Sequence, residues 1–355
     1  MHSELLEVGF FAGFIILIVG LLVLDLGVFE KENKVVTMKR ALINTSIWVF
    51  FAIAFGFFIR YFGYLMHGIG DMDSLKEIVL KYHGQSMWKD IAALPYNEAL
   101  AAFHSKMSLE YFTGYIIEYS LSVDNIFVIL LIFASFAVQK EFYKRVLMWG
   151  VLGAVVMRFI FIFVASMLVQ KFEFILYIFG AFLIYTAIKM FLERNKHAEV
   201  HPEKNKLVRL ASRLFPVTKT IEDQRFIKRI DGKLHLTPLL LCLIVIEFSD
   251  LLFAFDSIPA IFSVTKDPFI VFFSNIFAVL GLRSLFFLVS GVMDKFRYLK
   301  IGLSALLCFI GVKMLAEHWL HQIGFEVIHS LIIIVAILTI SIVASVLIPQ
   351  RKEKL

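Results

Sequence analysis

Six carboxylates sit where the sequence is otherwise fit for lipid. The stretch EYSLSVDNIFV, residues 118–128, holds Glu118 and Asp124. The stretch EFSDLLFAFDSIPA, residues 247–260, holds Glu247, Asp250 and Asp256, and Asp25 interrupts GLLVLDLGVF. At the centre of a transmembrane helix each acid costs about 2.5–3.5 kcal/mol on insertion scales, so acids kept there pair with cations or line a pathway. The neighbouring Asn125, Ser122, Ser249 and Ser257 make an all-oxygen donor set. Such donors suit hard divalent ions, Mn²⁺, Mg²⁺ or Ca²⁺. No His or Cys stands beside the acids, which disfavours zinc and copper. The competing reading is salt bridging, with Arg158 and Arg283 as the mid-helix cations that balance charge. Even if both arginines are paired, acids remain over.

The elements that must position these residues are membrane helices. Of 355 residues 60% are hydrophobic, and mean hydropathy is +0.83. Soluble domains sit nearer half apolar. A spanning helix needs about 20 apolar residues, and nine runs qualify: 9–29, 42–65, 110–134, 146–169, 172–192, 238–262, 268–292, 298–316 and 326–348. The expected fold is a single all-α polytopic transmembrane domain over 1–355. Segments 30–41, 135–145, 193–237, 293–300 and 349–355 hold 24 Lys and Arg, against six in the segments on the other side. The positive-inside rule then puts the N-terminus outside and the C-terminus in the cytoplasm. The acidic start MHSELLE lacks the basic region of a cleavable signal, so the first run reads as a retained helix.

Three helices recur in order. Glu118 leads to Asp124 by six residues, as Asp250 leads to Asp256. MRFIFIFV around Arg158 parallels LRSLFFLV around Arg283, and YTAIKMFLE parallels FIGVKMLAE. Helices 3–5 (110–192) therefore repeat as helices 6–8 (238–316). Because three is odd, the copies have opposite topology, the inverted-repeat design of many secondary transporters with a site near the midplane. Six residues turn a helix by about 600°, which leaves paired acids about 120° apart. Pro259 removes a donor and crowds the turn at Phe255. A break there is expected to turn Asp256 inward.

Two loops are long. Segment 66–109 reads as external amphipathic helices broken near Pro95 and lying on the membrane surface. Segment 193–237 is a basic cytoplasmic loop, and Asp231-Gly232 in RFIKRIDGKLHL signals a hairpin. Its basic residues reflect positive-inside bias and contact with membrane lipid rather than nucleic acid. His83, His104 and His235 read as solvated or interfacial rather than as ligands. Cys242 and Cys308 lie within apolar runs and imply neither disulfide nor metal. No Gly-rich phosphate loop, nucleophile elbow or Cys-His spacing supports an enzyme, and no tightly bound cofactor is expected. The sequence specifies no oligomeric state.

EYSLSVDNIFV and EFSDLLFAFDSIPAIF resemble the TerC family of integral membrane proteins, and within it the Alx-type members. So do LDLGVF, GVLGAVVMRF, YIFGAFLIYTAIKM and TKDPFIVFFSNIFAVLGLRSLFFL. The resemblance covers nearly the whole chain. It implies a cell (inner) membrane protein that exports manganese, with links to tellurium resistance and alkaline pH. Glu118, Asp124, Asn125, Glu247, Asp250, Asp256 and Asp25 fall on its motif positions. The alternative is a membrane scaffold or sensor that responds to metal, pH or tellurium without transport. A tellurium oxyanion carrier fits poorly, because midplane acids repel anions.

Overall fold

The computed structural model describes residues 2–25, 37–172, 174–192, 216–218, 225–230, 233–290, 298–322 and 324–347. Within these ranges the side chains of Asp25, Asp124 and Asp256 lie outside the description. In lipid each backbone polar group needs an internal partner, so the apolar runs form helices. They are α1 (His2–Asp25), α2 (Met38–Phe62), α3 (Tyr64–His67), α4 (Met72–Tyr82), α5 (Gly84–Ile91), α6 (Tyr96–Ser135), α7 (Lys140–Lys171) and α8 (Phe174–Leu192). A hairpin follows, β1 (Ile227–Ile230) and β2 (Lys233–Leu236). The chain continues with α9 (Pro238–Phe262), α10 (Pro268–Leu280), α11 (Leu282–Ser290), α12 (Leu299–Leu315), α13 (Glu317–Gln322) and α14 (Val327–Leu347).

Among the described residues α2, α7, α8, α9 and α14 are long and apolar enough to cross a membrane; α10 and α11, bent by 44° at Gly281, make a sixth span if taken together. Glu7–Val23 and Ile301–Leu315 are shorter apolar helices. Ile160, Met167, Ile178, Tyr185, Ile340 and Leu347 stand exposed, as side chains facing lipid would.

Three expectations are corrected. The helix that holds the third apolar run does not begin at residue 110 but at Tyr96. This is α6, whose 40 residues make a rod of about 60 Å, twice the hydrocarbon thickness. Its first turn starts beside Pro95, whose carbonyl accepts from the amides of Glu98 and Ala99. Second, α4 and α5 turn their apolar faces onto the bundle: Leu75, Val79, Met87 and Ile91 join one core with Phe103 and Met107 of α6. Third, α9 is unbroken at Pro259, which sits in its last turn, where the missing N–H removes one bond near an end already short of partners. The interruption falls instead at Gly281, in the next span.

The hairpin forms as its sequence signals, with Ile227 opposite Leu236 and Ile230 opposite Lys233; Asp231 and Gly232 lie outside the described residues, as does the amphipathic piece at 205–215. Thr237 ties the hairpin to α9 by donating to the Arg225 and Phe226 carbonyls at 2.9 and 3.0 Å.

α6 packs on α9, α7 on α10, and α8 on α12. The α8–α12 crossing is close because two glycines meet there. A Cβ at Gly311 would lie 2.7 Å from the Gly180 carbonyl oxygen and 2.8 Å from Ile184 Cγ1. Backbone cannot yield as a side-chain tip can, so Gly311→Leu should destabilise the fold by about 1–3 kcal/mol or more. Thermal unfolding in detergent should show a lowered midpoint, and an unchanged midpoint would refute this close packing.

Candidate functional site

Arg158 is the largest side chain in the fully buried interior. It projects from α7 into a point where four helices meet. Nε and Nη2 donate to Asp250 of α9 at 3.1 and 2.9 Å, a two-pronged grip on one carboxylate. Nη1 donates to Glu118 Oε1 of α6 and to Asn275 Oδ1 of α10, the latter at 3.0 Å. Asn275 Nδ2 closes the ring by donating to Glu118 Oε2 at 3.0 Å. One guanidinium thus serves two carboxylates, and an amide shares the second.

The first members of the two acid pairs are therefore brought together, but by an arginine. Further along the same faces, Ser122 and Asn125 follow Glu118 at steps of four and seven, and Ser257 follows Asp250 at seven. All three are buried, and Ser122 Oγ, Asn125 Nδ2 and Ser257 Oγ have no hydrogen-bond partner. The amide of Asn125 can be turned so that its oxygen takes the position of Nδ2. Ser249 is committed locally, donating to the Val245 carbonyl at 2.8 Å. Glu247 is half-buried, and its carboxyl group lies directly over Gly153 of α7, in the space a Cβ would fill. Arg283 is buried on α11. Among the described residues no group of three or more His, Cys, Asp or Glu is arranged to hold a metal ion. Asp124, Asp256 and Asp25 have helical backbone, and their side chains lie outside the description.

Sequence reasoning missed Asn275. Its signal was an amide within the aromatic run PFIVFFSNIF, where an unpaired amide is as unwelcome as an acid.

A second polar cluster lies under α3–α5. His67 Nε2 and Asp267 Oδ2 are 2.7 Å apart and both side chains are buried. Asp267 also caps α10, accepting from Phe269 N at 2.9 Å. His83 Nδ1 lies 3.6 Å from Glu110 Oε1, again both buried. Of the two readings of His83 and His104, the solvated one is overturned: both side chains are buried, His83 against Phe103 and His104 against Tyr64. The Asp267-Pro268 pair was a legible helix start; its histidine partner, 200 residues away, was not.

A bundle of apolar helices with a charged, dry interior defines a class, the polytopic integral membrane proteins. Residues 103–353 match the family described as "Integral membrane protein TerC family", and the chain belongs to the TerC family. Membrane protein STKORF319 of Myxococcus xanthus is 42% identical over 339 residues, 96% of this chain and 92% of its own. An Escherichia coli (strain K12) relative, Alx, whose name casts it as a membrane-bound redox modulator, is 45% identical over 247 residues, 70% of this chain and 75% of its own. A Rickettsia felis membrane protein is 33% identical over 334 residues, 94% of this chain and 96% of its own. No solved structure matches the chain.

Removing one partner from a buried ion pair typically costs about 3–5 kcal/mol, because a dry charge is left alone. Arg158→Ala should destabilise the protein by that order, and Arg158→Met with Glu118→Gln and Asp250→Asn should recover most of the loss. Denaturant unfolding in detergent measures both; a mild single variant would refute the node's role.

Burial pushes His83 down to about 4, from its ordinary 6.5. Between those values the undocked cap binds more protons than the docked one, so docking weakens as pH falls through this window. Burial opposes the Asp267 charge, but His67 and the Phe269 amide outweigh it and hold the carboxyl below its ordinary 3.8. Its contribution is lost only at still lower pH. Hydrogen exchange of residues 72–91, corrected for intrinsic rates, should rise on acidification from 6.5 toward 4. His83→Gln should flatten that rise, and a pH-independent wild type would contradict the assignment.

Proposed function

We propose that this protein is a secondary transporter exporting a hard divalent cation, foremost Mn²⁺, from the cytoplasm across the inner membrane, with protons as counter-ion. Ca²⁺ and Mg²⁺ are the competing cargoes for an oxygen-only site. Asp124 and Asp256, sequence neighbours of Asn125 and Ser257, supply the charge. Ser122, Asn125 and Ser257 supply neutral oxygens. Glu247, half-buried, serves the approach, and Asp25 serves as a further ligand or gate. Glu118 and Asp250 stay with Arg158 and act as the hinge between two inverted repeats, 110–192 and 238–316. Orientation follows the loop charges, with the N-terminus outside.

The observation that carries this reading is a division of polar groups. Arg158 engages the first acid of each pair, while the polar atoms of Ser122, Asn125 and Ser257 are buried without partners. Buried polar atoms are satisfied in nearly all proteins, so unsatisfied ones next in sequence to further acids mark a place for a ligand. Support also comes from each repeat helix packing on its counterpart and from membership of the TerC family.

Asp124→Asn with Asp256→Asn tests it. Normal membrane insertion with manganese export reduced to the level of cells lacking the protein is expected. Unchanged cellular manganese would sink the transporter reading and favour the scaffold or sensor.

A further inference from the structure

The buried cluster beneath α3–α5 is not used by the cation site. Its four members come from four separate segments: His67 ends α3, His83 joins α4 to α5, Glu110 lies on α6, and Asp267 precedes α10. Glu110 is 1% exposed, and its Oε2 and the Nε2 of His83 have no hydrogen-bond partner. The groups facing the cluster are Lys106, Thr265 and Lys313 around Glu110, and Tyr82 beside His67 and Asp267. Lys313 spends a donor on the Ser263 carbonyl at 2.9 Å.

A carboxylate and an imidazolium facing each other in so dry a place are dearer than a neutral acid beside a neutral imidazole. Either arrangement holds one proton between the two groups. Two carboxyl groups and two imidazoles share one chemistry at physiological pH, the exchange of protons. A cavity adjoins the cluster at His67. It measures about 500 Å³ and is lined by Glu7, Glu77, Lys81, Tyr82 and Gln170, with His67 in its wall. On the other side, Glu110 precedes Glu118 by eight residues of one unbroken helix, about 12 Å along its axis.

We propose that His83 and Glu110, together with His67 in the cavity wall and its partner Asp267, form the proton port of the transport cycle at the capped end. A hydronium in the cavity gives its proton to the His67–Asp267 pair and leaves as water. The proton then passes to the His83–Glu110 pair, which releases it as the cycle turns. This port rests on the transport reading, and it names the site where the counter-ion binds.

The test uses the full-length protein in proteoliposomes loaded with Mn²⁺, together with infrared spectra of the same preparations. Glu110→Gln should lose one carbonyl band of a protonated carboxylic acid. It should also lose the acceleration of Mn²⁺ flux by acid on the capped side, yet keep gradient-free Mn²⁺ exchange. His83→Gln, a milder change to packing, should lose the acceleration too. An infrared spectrum unaltered by Glu110→Gln overturns the proposal, as does acceleration that survives in both variants. If wild-type protein moves no Mn²⁺, the transport reading fails by itself, and the carboxylic-acid band alone decides whether Glu110 holds the proton.

Discussion

A single guanidinium shielded from solvent ties four helices of this protein in register. Arg158 cannot shed its charge, and 0% of it is exposed. It therefore demands fixed acceptors, and it draws them from three other helices, through Asp250, Glu118 and Asn275. The grip on Asp250 fixes direction as well as distance, because a planar fork accepts a carboxylate only edge-on. Buried ion pairs are weak arguments for stability, since apolar replacements can do as well. They are better arguments for uniqueness: α6, α7, α9 and α10 cannot slide by a turn without stranding a charge. Asn275 is needed by the same logic. Two carboxylates around one cation leave Glu118 Oε2 over, and the amide supplies the donor it lacks.

Much of this was legible in the sequence. The all-helical, polytopic character follows from apolar runs that have no alternative in lipid, though nine spans were read and five, or six with the bent pair, qualify among the described residues; the hairpin follows from Asp231-Gly232 between alternating residues. The acids were visible because they are rare in such surroundings. Their partners were not, because partnership is a matter of three-dimensional register. Arg158 and Arg283 looked equivalent, yet the contacts of Arg158 with Glu118 and Asp250 follow from how α7 sits against α6 and α9. The extent of α6 was hidden as well. Residues 96–109 have a helical pattern but a polar composition, and whether they lie on the membrane or continue a rod depends on tertiary packing. Pro259 misled because the rule for proline in a helix interior weakens in the last turn.

The histidines show the same limit from the other side. In the sequence His83 and His104 stand among Lys, Gln and Ser, the company of solvated residues. In the fold α4 and α5 lie over them, and Phe103 and Tyr64 press against their rings. Burial is imposed by the cap, whose amphipathic faces find protein to cover rather than lipid.

The two polar centres are joined by one mechanical element. α6 carries Glu110 and Glu118 on a single helix that continues unbroken through Gly114 from Tyr96 to Ser135. It is braced by α2 from Ser108 to Phe112. Ser108 Oγ donates to the Gly56 carbonyl at 2.8 Å, and the Tyr111 hydroxyl donates to the Ala52 carbonyl at 3.0 Å. The ring of Phe112 occupies the space a side chain at position 56 would need. A helix held this way moves as a rod or not at all. A change in charge at Glu110 that shifts the rod must be felt at Glu118, where the buried arginine allows only discrete arrangements. Coupling between the proposed proton port and the proposed cation site then needs no wire of intermediate residues. It needs only that both ends of a stiff helix be polar, buried and intolerant of half-measures, and α6 meets that condition.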